Sequence, residues 1–510
     1  MNKKKRFLFY ILLSAILYPV TAQNADGGIT ENGLNIYVIN SYEYIIDGIT
    51  RPYALNYRAE FKKGEEITGL LNLEKFIRDK TQLIYNERVI ESVRIEHTIG
   101  EINNEKKYPV DLKIFIKDTW NIIAIPRPQY DSNKGFDITI KARDYNFLGT
   151  MSALRVDVGY QRDLEGRNFY SLMLDSDIPV YVFGLYWNID FDHEYTFRPD
   201  MEQEHYYRNT TGISTEIPVR RTILKIGFTE WFYFNQENPV RYRDEYGRFH
   251  EGLYLSSRPF LSWKIPLGVN YYDFGEIVYT PALSATFNHE LPQHPLPEFR
   301  KGPFIYFSNN INFSRIDWHG NFKKGAAAGI SNSNSYDFFK LRNDINPFGA
   351  NFSITGSGFT MLNNFVGLSA QIRYMHYFFD DYYDNGGDII RGVIDNRVNF
   401  NYMLSFNFDL PVRILQLRPS QWHEKNRFLR IFDFDLHVAP VLDIALYNDP
   451  LTQTPFGLEN MLLGAGLEAV IYPERWRSLF LRISFAVGIQ TGNLNAGLTS
   501  ELFIGTDLFY

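Results

Sequence analysis

The chain of 510 residues contains no cysteine. This excludes structural disulfides, thiolate-ligated zinc, a cysteine nucleophile and a lipid-modified N-terminal cysteine together. It also lacks long apolar runs. Past the first twenty residues no stretch approaches the roughly 20 apolar residues of a helical membrane span, and the mean hydropathy is -0.27. Positive charge is not in excess: the net charge of -7 leaves no basic footprint for nucleic acid. Enzyme signatures are missing as well, with no Gly-x-Ser-x-Gly, no Walker loop, no His-Glu-x-x-His and no calcium loop. The histidines are scattered and predict neither a metal nor a cofactor.

What is abundant is aromatic. Phe and Tyr (42 and 35 residues) supply most of a 16% aromatic content, and such residues favour strands and lipid–water boundaries. The N-terminus carries Lys3, Lys4, Lys5 and Arg6, an apolar stretch from Phe7 to Val20, and Val20-Thr21-Ala22 before Gln23. That pattern predicts a secretory signal peptide over 1–22, the alternative being an N-terminal membrane anchor. An exported chain without helical spans is periplasmic, secreted or a membrane barrel.

Alternation selects the barrel. Leu479, Leu481, Ile483, Phe485, Val487 and Ile489 share one face of a period-two pattern, opposite Arg482, Ser484, Ala486, Gly488 and Gln490. Leu502, Ile504, Leu508 and Tyr510 repeat it up to the last residue. Phe432, Phe434, Leu436 and Val438 oppose Asp433, Asp435 and His437, which fits a wall with lipid on one side and a wet lumen on the other. A soluble sandwich is the competing fold for such a pattern. Counting such segments from Phe136 to Tyr510 gives about sixteen strands, an even number as bacterial barrels have. Pro259, Pro281 and Pro440 fall inside these segments, so each implies a bulge, a strand end or a misplaced boundary.

Before the barrel, 34–120 predicts a small α+β domain in the order β-α-α-β-β. Its elements are a strand at Tyr44–Ile49, a first helix opened by Pro52, a second capped by Thr68 and running to about Asn86, and strands at Val89–Thr98 and Tyr108–Lys117. Ile125-Pro126-Arg127-Pro128 predicts a stiff linker over 121–135, with the barrel filling 136–510. A long turn from Val412 to Leu429 holds Arg413, Arg418, Lys425 and Arg427, and reads as a solvated basic turn.

Several motifs resemble the BamA-like and two-partner-secretion superfamily of outer-membrane barrels. The Phe61-x-x-Gly64 and Asn86-x-x-Val89-x-x-x-Val93-x-Ile95 patterns are similar to a POTRA domain. Asp144, Asn146 and Gly149 match the Asp-x-Asn-x-x-Gly turn between the first two barrel strands. Gly505, Leu508 and Tyr510 match the C-terminal strand signal. In the acidic loop from Tyr377 to Asn396, Ile390, Arg391, Gly392 and Val393 stand where the superfamily has its Arg-Gly signature, five alternating segments before the end.

The resemblance implies that this loop folds into the lumen and that Arg391 meets an acidic residue. Asp443 is the matching position, within Val441-Leu442-Asp443-Ile444-Ala445, although Val441 and Ala445 depart from the usual Phe and Gly; Asp435 is the rival partner. It also implies an outer-membrane location in a Gram-negative-type bacterium, with the first domain in the periplasm. The implied partners are unfolded outer-membrane or secreted client proteins, outer-membrane lipids and periplasmic accessory proteins, with no cofactor and no enzymatic activity. The expected function is assembly, insertion or translocation, by templating client strands at the POTRA edge and at the seam between Phe136–Ala142 and the last strand. A secretion pore for a dedicated substrate and a passive diffusion porin remain open.

Overall fold

The computed structural model describes residues 35–505 except 104–106, 132–134, 164, 201–203, 236–252, 272–274, 292–301, 343–345, 380–388, 394–398, 423–426, 451–452, 454, 459–460 and 491–498. The signal-peptide prediction and the Leu508 and Tyr510 end of the C-terminal signal lie outside these residues. The chain forms two compact units. One holds residues up to 43, 61–80 and 95–114; the other holds 44–60, 81–94 and everything from 115.

The first elements are β1 (Ile36–Asp47), α1 (Pro52–Ala59), β2 (Glu66–Thr68), α2 (Leu70–Asn86), β3 (Ile90–Ile99) and β4 (Lys107–Asp118). They give a sheet in the order β2-β1-β4-β3. Two details differ from the sequence expectation. The first strand begins at Ile36 rather than Tyr44, because Tyr37 and Ile39 already alternate into the core. A short β2 separates the helices, and Thr68 belongs to that strand, with the helix starting at Leu70. Pro52 does open α1, where its missing N–H costs nothing. Leu73 and Ile84 on the predicted stripe of α2 are fully buried.

The rest is strand. After β5 (Ile122–Asp131), β6 (Gly135–Asp144), β7 (Leu154–Arg162) and β8 (Asn168–Val182) come β9 (Leu185–Arg198), β10 (Glu204–Val219), β11 (Thr222–Asn235) and β12 (Leu253–Tyr271). Then follow β13 (Gly275–Glu290), β14 (Phe304–His319), β15 (Phe322–Asp337), the short helix α3 (Phe338–Arg342), β16 (Phe348–Asn363) and β17 (Val366–Phe378). The chain ends with β18 (Tyr402–Asp409), β19 (Val412–Leu417), β20 (Phe434–Asn448), β21 (Met461–Pro473), β22 (Leu481–Gln490) and β23 (Thr499–Gly505). Neighbouring strands pair antiparallel in chain order except at β18 and β19, and β23 returns to β5 to close the barrel. Tight turns join them at one end, such as Phe183-Gly184, where φ of 53° and 77° suits the two-residue turn that matches strand twist.

The sheet holds nineteen strand segments among the described residues, not sixteen. β18 and β19 share one place in it. Both pair with β20, Asp409 opposite Val441 and Val412 opposite Val438, and both touch β17. The interruption at Leu410-Pro411 faces Pro440, whose carbonyl accepts from Leu410 N at 3.2 Å. Val412–Leu417 is therefore strand, and the expected basic turn starts only after it. Of its expected basic residues, Arg418 is bonded rather than solvated, donating to Asp435 and Glu474, while the side chains of Lys425 and Arg427 lie outside the described residues.

A further correction concerns 121–135. The predicted linker contains β5, the first barrel strand, which pairs with β6 residue for residue from Ile122↔Asp144 to Asp131↔Gly135. The expected first strand, Phe136–Ala142, lies within β6 and is the second. Two prolines disguised β5 as a connector. Proline has no N–H, so an unbroken ladder through Pro126 and Pro128 requires both ring nitrogens to face away from β6. That edge faces β23. Pro259 is accommodated without a bulge, since Ser257↔Phe287 and Phe260↔Ser284 keep one register across it. Pro281 pairs with Asn309 inside a similarly continuous ladder.

The alternating faces separate as the pattern requires. On β22, Leu481, Ile483, Phe485 and Ile489 are exposed while Arg482, Ser484 and Ala486 are buried. On β20, Asp435, His437, Val441, Asp443, Ala445 and Tyr447 point inward. On these strands the outward side chains are apolar, and the charged ones point inward, as for a wall between lipid and water.

Candidate functional site

The chain between β17 and β18 turns back into the barrel, and its described tip, 389–393, is buried. Apolar contacts seat it first. Ile389, Ile390 and Val393 pack with Phe400, Met403, Ala445, Tyr447 and Leu462. Ala445, which departs from the superfamily pattern, is fully buried in this cluster. Asn407 on β18 donates to the Ile389 carbonyl at 2.8 Å and fixes the entry of the tip.

Arg391 follows at the point where the tip meets the wall. Its backbone N–H and Nε both donate to Asp443 Oδ2, at 2.9 and 2.8 Å, and Nη2 reaches Oδ1 at 2.6 Å. Nη2 also donates to Asp409 Oδ1 at 2.7 Å. Glu468 on β21 lies 3.8 Å from Nη1 and pairs in turn with Arg482 on β22 at 3.3 Å. Five charged groups, three carboxylates and two guanidiniums, thus share one dry patch of wall. Fork-to-fork geometry on Asp443 is the arrangement in which an Arg–carboxylate pair is strongest.

Of the two carboxylates the sequence offered, Arg391 meets Asp443. Asp435 is taken by Arg418 at 2.6 Å and Asn321 at 2.9 Å, nearer the tight-turn end. Sequence reasoning missed Asp409, Glu468 and Arg482. Asp409 and Arg482 sit at inward positions of alternating strands, so parity alone could have nominated them. His437, on the polar face of the alternation, has neither ring nitrogen hydrogen-bonded; Phe322 and Tyr472 flank the ring at 4.5 and 4.7 Å.

Glycines make room for the tip. Gly392 has φ of 83°, which side-chain-bearing residues rarely adopt. Gly464 and Gly488, paired across β21 and β22, lie beneath it. A Cβ on Gly464 would collide with the Arg391 carbonyl, and one on Gly488 with the Gly392 carbonyl.

The Asp144, Asn146 and Gly149 turn lies between β6 and β7, the second and third barrel strands rather than the first two. Asp144 accepts from Asn146 N at 3.0 Å, and the wholly buried Asn146 donates to Thr50 Oγ1 at 2.7 Å and Asp118 Oδ2 at 3.2 Å. Gly149, with φ of 77°, abuts the Ile49 carbonyl and accepts from Arg51 N at 2.8 Å. The turn therefore grips the segment leading into α1. Gly505 pairs with Arg482.

A second arginine site lies at the tight-turn end. Arg88, between α2 and β3, stands over the rings of Trp318 and Phe480 at 4.5 and 5.1 Å. It donates to the Arg477 carbonyl and to Asn321 Oδ1. Arg477 answers by covering Tyr85 at 4.2 Å and donating to the Ile90 carbonyl. Asn86 accepts from Trp318 N at 2.9 Å and donates to Asp317 at 2.8 Å. Burial, and then the neighbouring Arg477, pulls the Arg88 pKa down to about 10. Helix α1 reaches other strands of the same rim: Tyr57 donates to Glu216 at 3.2 Å and Tyr53 to the Pro179 carbonyl at 3.2 Å.

No protein-family model matches the chain, and no curated protein matches it. Solved structures do. CdiB from Acinetobacter baumannii aligns with a TM-score of 0.47 and 13% identity, over 92% of this chain and 74% of that one. CdiB from Escherichia coli aligns with a TM-score of 0.42 and 10% identity, over 99% of both. BamA from Haemophilus ducreyi lacking POTRA domains 1–3 aligns with a TM-score of 0.38 and 13% identity, over 92% of this chain and 83% of that one. BamA and CdiB are thus among the structural neighbours of this barrel.

Proposed function

We propose that the chain is an outer-membrane barrel of the BamA-like superfamily that assembles, inserts or translocates client proteins, with 34–120 acting as a periplasmic POTRA-type domain. The observation that carries this is the inserted loop tip: Arg391 buried against Asp443 and Asp409 inside a closed barrel with an apolar outer band. A porin needs no such element, because a loop that only narrows a pore can leave its charges wet. Here the charges are dry and paired, so the loop acts as a fixed internal brace.

The seam supports insertion over lumenal secretion. β5 presents to β23 an edge from which Pro126 and Pro128 have removed two donors. Neither ring nitrogen can donate toward β23, so this edge offers fewer donors to a neighbouring strand than one without proline. A client strand entering there would pair with the remaining groups of β5 and with the edge of β23.

Depletion in the native host, followed by quantification of the outer-membrane proteome, tests the proposal. The expected result is selective loss of barrel proteins. Loss of one secreted protein alone would instead favour a dedicated secretion pore. An unchanged proteome with impaired small-molecule uptake would overturn assembly in favour of a porin. Cross-linking β5 to β23 separates the first two further, because a locked seam stops insertion and spares passage through the lumen. The absence of native cysteines makes an engineered disulfide there unambiguous.

A further inference from the structure

The loop tip does not end at its carboxylates. Thr499, the first residue of β23, donates its hydroxyl to the Gly392 carbonyl at 2.5 Å. The same Thr499 pairs across the ladder with Gly488, on which Gly392 rests. One short peptide therefore crosses the inner wall from β18 to β23: Asn407 and Asp409 hold it on β18, Asp443 on β20, the Gly464 and Gly488 gap on β21 and β22, and Thr499 on β23.

We propose that this tip is a strut that restrains the last strand, and that Thr499 is the positioning residue through which the Arg391 lock governs opening of the β5–β23 seam. The inference rests on the seam being the working edge, as proposed above. The physical case is mechanical and local. β23 faces on one side β22, a full ladder, and on the other the proline-depleted edge of β5. Because the β5 edge lacks donors at Pro126 and Pro128, a further grip on β23 from inside the barrel adds to what holds the strand in place. The Thr499 hydroxyl is a grip inside the barrel, anchored through Gly392 to an arginine that cannot shift while it is bound to Asp443 and Asp409. The close approach depends on glycine at 464 and 488, since side chains there would lift the tip away from the wall and carry the Gly392 carbonyl out of reach of Thr499.

The test is hydrogen–deuterium exchange of β23 amides in the intact protein in lipid nanodiscs, with β20 amides as the internal reference and heat-modifiable migration on gels to confirm a closed barrel. Thr499→Val keeps the shape and removes the donor, and should raise exchange across 499–505 about tenfold, as expected for one buried hydrogen bond. Thr499→Ser restores the donor and should return exchange to within about twofold of wild type. Gly464→Ala displaces the tip with Thr499 intact and should reproduce the Thr499→Val profile. Unchanged β23 exchange in Thr499→Val overturns the proposal, as does a response to Thr499→Val that Gly464→Ala fails to reproduce, since the restraint would then not pass through the loop. Because exchange is read without any client, an effect on β23 together with normal client assembly after depletion would leave the strut standing and remove the assembly function.

Discussion

In the lumen, Arg391 is held by carboxylates from two strands with a third 3.8 Å away, whereas at the tight-turn end Arg88 is held by the faces of Trp318 and Phe480 and by a carbonyl and an amide oxygen. Both guanidiniums are removed from water, and the difference lies in what replaces it. A carboxylate returns the full charge lost on burial, and removing either partner strands the other in a dry site. A ring face and a neutral oxygen return only part of it, which is why burial moves Arg88 down to about 10. The lumen site is held chiefly by charge pairing, and the tight-turn site by ring faces and neutral oxygens.

Substitutions order this contrast. Arg391→Ala should have the largest effect, roughly 3–5 kcal/mol, because Asp443 and Asp409 are left buried and unpaired. The measure is the temperature at which the folded form on heat-modifiable gels converts to the unfolded one, together with loss of complementation. Asp435→Asn should fall well short of Asp443→Asn, since Asp435 serves Arg418 and Asn321 instead; equal effects would merge the two sites. Next, Arg88→Ala should cost about 1–2 kcal/mol. A double-mutant cycle with Trp318→Leu should return a coupling of about 0.5–2 kcal/mol. An Arg88→Ala loss as large as that of Arg391→Ala would break the comparison outright. Smallest is Arg430→Ala, whose exposed pair with Glu91 should be worth less than about 1 kcal/mol and vanish in high salt.

The legibility of these regions differs for the same reason that their chemistry does. Arg391 and Asp443 could be named from sequence because one lies in a motif and the other on a strand whose parity is fixed by its phenylalanines. Asp409 carried the same parity signal, but nothing local says that a loop folded in from 18 residues away meets it. Arg88 gave no signal at all. It follows a helix, precedes a strand and has no motif, and its partners come from the end of β14 (Trp318) and the connection before β22 (Arg477 and Phe480), some 230 to 390 positions later. Prolines misled in both directions. Pro126 and Pro128 looked like a connector while forming the first barrel strand, and Pro259 looked like a break while leaving its register intact.

Side-chain period and composition fix what depends on near neighbours: strands with one apolar face, the inward direction of each polar residue, and a signal-like N-terminus without cysteine. A period of two admits only two choices of face, so these features are settled within a few residues of chain. The tertiary structure alone decided the number of strand positions, which carboxylate takes Arg391, and the contact of Gly392 with Thr499. Each depends on register between segments far apart in sequence, and register is set by the closing of the whole barrel.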